Sequence, residues 1–208
     1  MAATTPIFSH CEDCPLLIVI SGPSGVGKDA VVKRLKDRNL PFHFVVTATS
    51  RPKRENEIHG EDYFFVEKEE FEKMISDDEL IEHAVVYDQY KGIPKQQVRQ
   101  ALASGKDVVM RLDVQGAAKV HQLCEGAVLI FLTPDNDQEW LARLRDRKTE
   151  TAEDLRIRLD TARAEKERMK EFDYVVTNAH DRLDDACDAI IAIVKAEHHR
   201  VNHRKITL

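Results

Sequence analysis

The fold is decided by the stretch Leu16-Leu17-Ile18-Val19-Ile20-Ser21-Gly22-Pro23-Ser24-Gly25-Val26-Gly27-Lys28. Its first five residues are an unbroken apolar run with β-branched members, which is typical of a strand covered on both faces of a parallel sheet. A glycine-rich turn follows at once, and Val31 and Leu35 then recur at helical spacing. Strand, tight turn and helix form the opening of a β–α–β unit.

The glycine-rich turn is predicted to bind phosphate. Glycines allow the backbone to turn tightly and to point successive N–H groups at phosphate oxygens. The N-terminal end of the following helix adds positive potential, and Lys28 is expected to reach the outer phosphates of ATP. A glycine-rich turn without a ligand is the alternative, but strand, spacing, lysine and helix coincide here. The predicted ATP-binding residues of the loop are Gly22, Pro23, Ser24, Gly25, Val26, Gly27, Lys28 and Asp29.

The rest of the chain continues the alternation of strands and helices. Short apolar strands are predicted at Val108–Leu112, Ala127–Leu132 and Tyr174–Val176. Helices are predicted at Gln96–Ala103, Ala117–Leu123, Gln138–Leu144 and Leu183–Val194. This order predicts an α/β fold with a P-loop NTPase-type parallel sheet flanked by helices.

Two charged segments interrupt this alternation and are predicted to form lobes over the sheet, where ligand contacts usually lie. Residues 42–93 contain strand-like pieces at Phe44–Thr47 and Tyr63–Val66, and residues 143–170 are charged and helical. Neither lobe is expected to add much to a core. We therefore predict one domain over residues 15–200, with a core of 15–41, 94–142 and 171–200, a ligand-binding lobe of 42–93 and a helical lid of 143–170. The predicted leader is 1–14, and His198, His199 and His203 are expected in a frayed, solvated helix end.

Composition limits the class of protein. The chain has 208 residues, of which 42% are hydrophobic and 33% charged, and a formal net charge of −6. These values indicate a soluble globular protein with one sizeable core, and the negative charge argues against a long nucleic acid as partner. The sequence contains no apolar run long enough to span a bilayer. We expect a cytoplasmic monomer without a membrane partner, or a plastid or mitochondrial protein if a transit peptide precedes this sequence.

Four cysteines are present, at 11, 14, 124 and 187. Cys11 and Cys14 form a C-x-x-C pair, but zinc normally needs four ligands and a redox pair is expected at a strand-to-helix turn. We interpret the pair as part of a polar leader, with a metal or redox role as the alternative, in a protein of a reducing compartment.

The loop departs from the usual pattern at the residue after its lysine. Asp29 stands where a serine or threonine hydroxyl normally ligates magnesium. A carboxylate is also a hard oxygen ligand suited to Mg²⁺, so Asp29 is the predicted metal ligand.

The order of several further motifs resembles the guanylate kinase family. With the loop, they run from about Leu16 to Val194 and include Gly60-Glu61-Asp62-Tyr63, Leu80-Ile81-Glu82, Leu112-Asp113-Val114-Gln115-Gly116, Arg147-Lys148-Thr149-Glu150-Thr151, Val176-Thr177-Asn178 and the segment from Thr47 to Glu57. The residues within these motifs look most like those of the plant organellar branch and of related bacterial forms. The resemblance implies transfer of the γ-phosphoryl group of ATP to GMP or dGMP, with Mg²⁺.

The resemblance also implies roles for single residues. Thr47, Arg51, Arg54, Tyr63 and Lys91 correspond to positions that hold the GMP phosphate, and Glu82 and Asp113 to positions that read guanine. Lid arginines are expected at Arg143, Arg147 and Arg158, and Asn178 near the ATP base. The implied catalytic residues are Lys28, Arg51, Arg143, Arg147 and Arg158. Without the resemblance, a solvated basic turn, ordinary surface acids and a helix with internal ion pairs would be the simpler interpretations.

Four positions depart from the family pattern. Lys91 replaces a tyrosine, Ile93 replaces a serine or threonine beside guanine, Arg111 replaces an acid, and Asp29 replaces the loop hydroxyl. Because the loop and the strand before Asp113 should be adjacent, our hypothesis is that Asp29 and Arg111 pair and that Asp29 takes over part of the magnesium binding. Two independent, solvated substitutions are the alternative.

Three other functions compete. Some members of this fold are scaffolds that bind phosphopeptides, but the present lysine and arginines disfavour that reading. A kinase for another phosphorylated acceptor, such as a sugar bisphosphate, is disfavoured by Glu82 and Asp113. A GTPase would leave the arginine-rich lobe unexplained.

Overall fold

The computed structural model describes residues 14–55, 57–86, 89–145 and 152–208, without the side chains of 86, 144, 145 and 152–159. Helices and strands alternate along most of the chain. In chain order they are β1 (Leu17–Ser21), α1 (Lys28–Asp37), β2 (Phe42–Phe44), β3 (Ala48–Thr49), β4 (Phe64–Phe65), α2 (Lys68–Ser76), β5 (Leu80–Val86), β6 (Gln89–Pro94), α3 (Lys95–Ala103), β7 (Asp107–Arg111), α4 (Val114–Leu123), β8 (Val128–Thr133), α5 (Asp137–Arg145), α6 (Ala152–Glu167), a 3₁₀ turn (Arg168–Glu171), β9 (Tyr174–Thr177) and α7 (Leu183–His198).

A five-stranded parallel sheet forms the centre, in the order β2-β7-β1-β8-β9. Every residue of β1 is buried, as the apolar run predicts for a strand covered on both faces. Ile18 and Ile20 pack towards α1 and α7, and Leu17 and Val19 pack towards α3 and α4. The predicted α/β fold with a parallel sheet flanked by helices is confirmed.

A second sheet, in the order β4-β3-β6-β5, is formed within the segment predicted as the ligand-binding lobe. It has a small core of its own, in which Phe71 packs with Ala48 and Leu80 and stacks on Tyr90 at a centroid distance of 5.1 Å. The expectation that this segment adds little to a core is therefore wrong, because β5 and β6 supply one apolar face that α2 covers.

The strand predicted at Phe44–Thr47 is also wrong. β2 ends at Phe44 in the central sheet, and β3 begins at Ala48 in the second sheet. Between them, the backbone of Val46 is bonded by a side chain: its N–H donates to Gln97 Oε1 at 2.6 Å, and Gln97 Nε2 donates to its carbonyl at 3.1 Å. The glutamine amide replaces a neighbouring strand, which lets the chain pass from one sheet to the other.

The C-terminal segment is ordered against the sheet rather than frayed and solvated as predicted. His198 Nε2 lies 2.8 Å from Asp107 Oδ2, and Arg204 pairs with both Glu197 and Asp173. Arg204 also donates to the carbonyl of Ala127 at 3.1 Å. Asp107, Ala127 and Asp173 lie at the N-terminal ends of β7, β8 and β9. The tail therefore covers the end of the sheet opposite the glycine-rich loop.

Within the described ranges, no helix combines the length and the apolar character needed to cross a membrane. Cys124 and Cys187 are buried free thiols, whereas Cys11 lies outside the described residues.

Candidate active site

The glycine-rich loop lies at the carboxyl end of β1, where ligands bind in parallel α/β sheets. Gly22 has a φ of 137°, and a Cβ there would lie 2.4 Å from the carbonyl oxygen of Leu132 on β8. Gly27 has a φ of 95°, and its Cβ would lie 2.5 Å from Asn178 Nδ2. Only glycine fits either position. The loop encloses a cavity of about 350 Å³, lined by Ser24, Gly25, Gly27, Lys28, Asp29 and Ala30.

Lys28 crosses this loop. Its Nζ donates to the carbonyls of Gly22 at 2.6 Å and Pro23 at 3.1 Å, which holds the ammonium at the mouth of the turn. Trp140 of α5 supports the loop from the other side, because its Nε1 donates to the carbonyl of Ser24 at 2.9 Å. The sequence reasoning missed Trp140, although a single tryptophan in a charged helix is a signal worth following.

The end of the loop is fixed by Asn178, which the resemblance places near the ATP base, and by Arg143, which it places in the lid. Asn178 is buried, and its Nδ2 donates to the carbonyl of Val26 at 2.8 Å. Arg143 donates to the carbonyl of Asn178 at 3.0 Å and to that of Val26 at 3.4 Å, and it pairs with Glu139. Both side chains therefore contact the phosphate loop, and their contacts with ATP stay a prediction.

Asp29 and Arg111 form an ion pair, as our hypothesis states. The pairing of β1 with β7, in which Ile20 is opposite Arg111, brings the two side chains together. Burial lowers the pKa of Arg111. Within the described part of the chain, no group of three or more potential ligands is arranged to hold a metal. Mg²⁺ commonly takes one or two carboxylates together with substrate phosphates, so a single Asp29 carboxylate beside the loop fits that ion.

A carboxylate from α6 also reaches the phosphate loop. The charge of Lys28 and the N–H of Ser24 both favour the ionised form of the Glu165 side chain, which places this carboxyl group near the loop. Burial, and then the charge of Asp113, raise the pKa of Glu165. Its Oε2 is buried without a hydrogen-bond partner among the described residues. Sequence reasoning missed this residue, because nothing in a charged helix distinguishes one glutamate from the next.

A second cationic group lies around Tyr63 in the smaller sheet. The guanidinium of Arg51 lies 4.9 Å from the centre of the Tyr63 ring, and Lys91 Nζ lies 6.0 Å from it. Burial, together with the charges of Arg51 and Arg54, lowers the pKa of Lys91. Because the charges of Arg51 and Arg54 disfavour the protonated form of Lys91, an anion bound among these cations would be stabilised. Thr47 lies beside them, its carbonyl accepting from the N–H of Phe64 at 2.9 Å.

Glu57 organises these cations. Its Oε2 accepts from Arg51 Nη1 at 2.7 Å and from the N–H of Arg54 at 2.9 Å. Hydrogen bonding from Arg51 lowers the pKa of Glu57 to about 2. The sequence motif contains Glu57, but sequence reasoning assigned it no role.

The two acids predicted to bind the guanine base both lie next to Gly116. A Cβ at Gly116 would lie 3.4 Å from both Asp113 Oδ1 and the carboxyl carbon of Glu82. Asp113 caps α4 by accepting from the N–H of Gly116 at 2.7 Å. Ile93, in contrast, is buried in the main core.

Two predicted lid arginines remain without a described position. Arg147 lies outside the described residues. The backbone of Arg158 belongs to α6, but its side chain is outside the described part.

A parallel sheet that leads into a phosphate loop, together with a cationic group on a smaller sheet and a pair of acids next to Gly116, is typical of phosphate-loop kinases that act on small molecules. The family model described as Guanylate kinase matches residues 15–197. The chain belongs to the guanylate kinase family.

Individual relatives agree with this assignment. The chain is 50% identical over 195 residues to "Guanylate kinase 2, chloroplastic/mitochondrial" of Oryza sativa subsp. japonica, covering 93% of this chain and 68% of the relative. It is 44% identical to a guanylate kinase of Bacillus subtilis, covering 88% of this chain and 89% of the relative. The crystal structure of guanylate kinase from Anaplasma phagocytophilum superposes with a TM-score of 0.71 at 28% identity, covering 91% of this chain and 89% of that one.

Proposed function

We propose that the chain transfers the γ-phosphoryl group of ATP to GMP, giving ADP and GDP. One observation supports the proposal: two separate groups of cations, Lys28 at the phosphate loop and Arg51 with Lys91 around Tyr63, lie in one molecule with a pair of acids beside Gly116. A kinase needs a donor site and an acceptor site, and a guanine base needs acceptors for its N1–H and amino group.

The phosphate loop is the proposed donor site. Its backbone N–H groups and Lys28 bind the phosphates of ATP, and Asn178 and Arg143 hold the loop in shape. Asp29 would hold magnesium together with the ATP phosphates, and the bound ion supplies neutralisation of phosphate charge. The pair with Arg111 keeps the Asp29 carboxylate at the mouth of the loop.

The group around Tyr63 is the proposed acceptor site. Arg51, Arg54 and Lys91 bind the phosphate of GMP, with the hydroxyls of Thr47 and Tyr63 as further donors. An oxygen of that phosphate attacks the γ-phosphorus in line, and the bond from the γ-phosphorus to the bridging oxygen of ADP breaks. Glu82 and Asp113 accept from the guanine edge and orient the nucleotide for this attack.

The lid arginines complete the proposed mechanism. Arg143, with Arg147 and Arg158, neutralises the negative charge on the transferring oxygens, which is the main catalytic demand of phosphoryl transfer. Closure of the lid excludes water and so suppresses hydrolysis of ATP.

The test is to identify the products of ATP and GMP by ion-exchange chromatography. Our proposal predicts one GDP for each ADP, with little inorganic phosphate. ADP and inorganic phosphate without GDP would indicate a hydrolase instead. No turnover, combined with binding of a phosphoserine peptide by calorimetry, would indicate a scaffold.

We further infer a monomer that binds neither nucleic acid nor membrane and works in the cytoplasm, with a plastid or mitochondrion as the alternative that the rice relative's name supports. Sedimentation velocity tests the oligomeric state, because a monomer would give a mass of 23.8 kDa and a dimer twice that mass. Fluorescent tagging of the full-length gene product tests the compartment.

A further inference from the structure

Glu82 is the acid whose ionisation matters most for reading a base. It lies on β5, and its side chain is only 11% exposed. Burial raises the pKa of Glu82, and the charge of Asp113 raises it further. Both effects favour the neutral carboxylic acid, so the ionised form needs a compensating cation nearby.

Lys119 of α4 provides that cation. Its Nζ lies 3.9 Å from Glu82 Oε2 and donates to the carbonyl of His83 at 3.0 Å, which anchors it to β5. Lys119 follows Gly116 by three residues, so both lie on the helix face that meets β5. Half of the Lys119 side chain remains exposed, and water therefore still hydrates the ammonium.

The two protonation states of Glu82 match different bases. An ionised carboxylate accepts from two donors, which are the N1–H and the amino group on the Watson–Crick edge of guanine. A neutral carboxyl group has one donor and one acceptor, which match the N1 acceptor and the amino donor of adenine. Protonation of one atom of Glu82 thus exchanges the preferred base.

We propose that Lys119 is a specificity-determining residue, which keeps Glu82 in the ionised form that selects guanine over adenine. This inference rests on the proposed function, because it requires that Glu82 reads the base of the acceptor. Lys119 acts through Glu82 and is a positioning residue; it takes no part in phosphoryl transfer.

Other charges near Glu82 do not supply the same effect. Among the described residues, Asp113 and Lys119 are the charged side chains that shift the Glu82 pKa, and they act in opposite directions. His83, the next residue on β5, is exposed, and it contacts Lys119 through its backbone carbonyl. The charge of Asp113 also raises the pKa of Glu165 and of Arg168, but neither of these residues is among the charges that shift the pKa of Glu82.

The test compares Lys119→Met with Lys119→Arg and with Lys95→Met as a matched control. Lys95, the first residue of α3, pairs with Asp78 at 2.6 Å, and its charge is not among those that shift the pKa of Glu82. The first measurement is the ¹³C NMR titration of the Glu82 carboxyl group in the ligand-free protein, assigned with Glu82→Gln. Lys119→Met is expected to move the titration midpoint of Glu82 to higher pH, whereas Lys119→Arg and Lys95→Met leave it near that of the wild type.

The second measurement is the ratio of kcat/KM for GMP to that for AMP at pH 6, 7 and 8. Taking ratios to the wild type cancels the ionisation of the nucleotide phosphate itself. Lys119→Met should lower this ratio by about fivefold, with the largest loss at pH 6, the size expected for loss of one partly exposed ion pair. An unchanged Glu82 titration, or an equal loss of activity with GMP and AMP at every pH, would overturn the inference. Failure of the wild type to phosphorylate GMP would instead overturn the proposed function.

Discussion

The ion pair of Asp29 and Arg111 joins the start of α1 to the end of β7 and lies at the mouth of the phosphate loop. Relative to the family pattern, a negative charge has been gained in the loop and a positive charge in the adjacent strand. The Asp29 side chain is 70% exposed and the Arg111 side chain 35% exposed, so the pair is accessible to phosphates and to a metal ion.

We expect the two substitutions that restore the family residues to be coupled. Asp29→Ser leaves the cation of Arg111 uncompensated, and Arg111→Asp places two carboxylates next to each other, so each single variant should lose activity. The double variant removes both faults and should recover, with a coupling energy of about 1 kcal/mol or more from kcat values. Losses that simply add in the double variant would show that the two positions are independent.

Glu57 is the second residue whose charge organises a binding group. Its pKa of about 2 is below the ordinary value of 4.5, so the charge contributes fully above about 4.5 and is lost only as the pH falls through about 2. Glu57→Gln should raise the KM for GMP by about fivefold, because Arg51 loses its partner.

The effect of Glu57→Gln on KM should be the same at pH 6, 7 and 8, since Glu57 does not titrate in that range. The exposed Glu55 in the same turn gives the control, and Glu55→Gln should leave KM unchanged. A KM for Glu57→Gln equal to that of the wild type would remove Glu57 from the acceptor site.

At the scale of whole elements, one face of α6 lies against α5 and near the phosphate loop. Ala162 packs against Trp140 of α5, and Glu165, three residues further along, lies where the charge of Lys28 and the N–H of Ser24 favour its ionised form. The proposed mechanism assigns the same part of the loop to the phosphates of ATP, so we expect the Glu165 carboxylate and ATP to compete for the loop and for Lys28.

Glu165→Gln should therefore strengthen the binding of ATP alone by about two- to fivefold, because a neutral amide competes less well for the loop and for Lys28. Isothermal titration calorimetry with ATP in the absence of GMP measures this directly. Glu167→Gln, at an exposed position of the same helix, is the control. Weaker binding of ATP by Glu165→Gln would mean that Glu165 supports the loop instead of competing for it.

The elements with strong local signals could be predicted from the sequence. The apolar run before the loop is explained by its burial on both faces of the sheet. The glycines at 22 and 27 are explained by their positive φ angles. The boundaries of β1, β7 and β8 differ from the predicted ones by a single residue, as expected where strand ends are set by hydrogen bonding.

The elements that depend on distant partners could not be predicted. Gln97 bonds the backbone at Val46 from 51 residues away, and Trp140 reaches Ser24 from 116 residues away. No local pattern contains such contacts, and the same holds for the tail, whose charges find partners at three different strand ends. In the site, the pair of Asp29 and Arg111 was predictable because strand order follows from the fold, whereas the contacts of Glu57, Lys119 and Glu165 were not.

At the scale of the whole molecule, the two ends of the strands in the central sheet have different roles. The carboxyl ends of the strands carry the phosphate loop, and the N-terminal ends are closed by the tail. Arg204 is central there: its side chain is 12% exposed and pairs with the fully buried Glu197 and with the partly exposed Asp173.

Arg204→Met should lower the free energy of unfolding by about 3 kcal/mol, because removal of one partner leaves the Glu197 carboxylate buried without its main cation. Urea denaturation measures this change. Arg163→Met, which breaks an exposed pair with Asp160, should cost less than about 1 kcal/mol. Equal stability of the two variants would show that the tail does not hold the sheet.

The acceptor specificity tests the central claim most directly, because the phosphate loop alone does not determine which molecule receives the phosphoryl group. The measurement is ADP release from ATP, in a coupled assay, with GMP, dGMP, AMP, CMP and UMP as acceptors under identical conditions. The account predicts rapid release with GMP and dGMP and little with the other three. Release with AMP but not with GMP would contradict it.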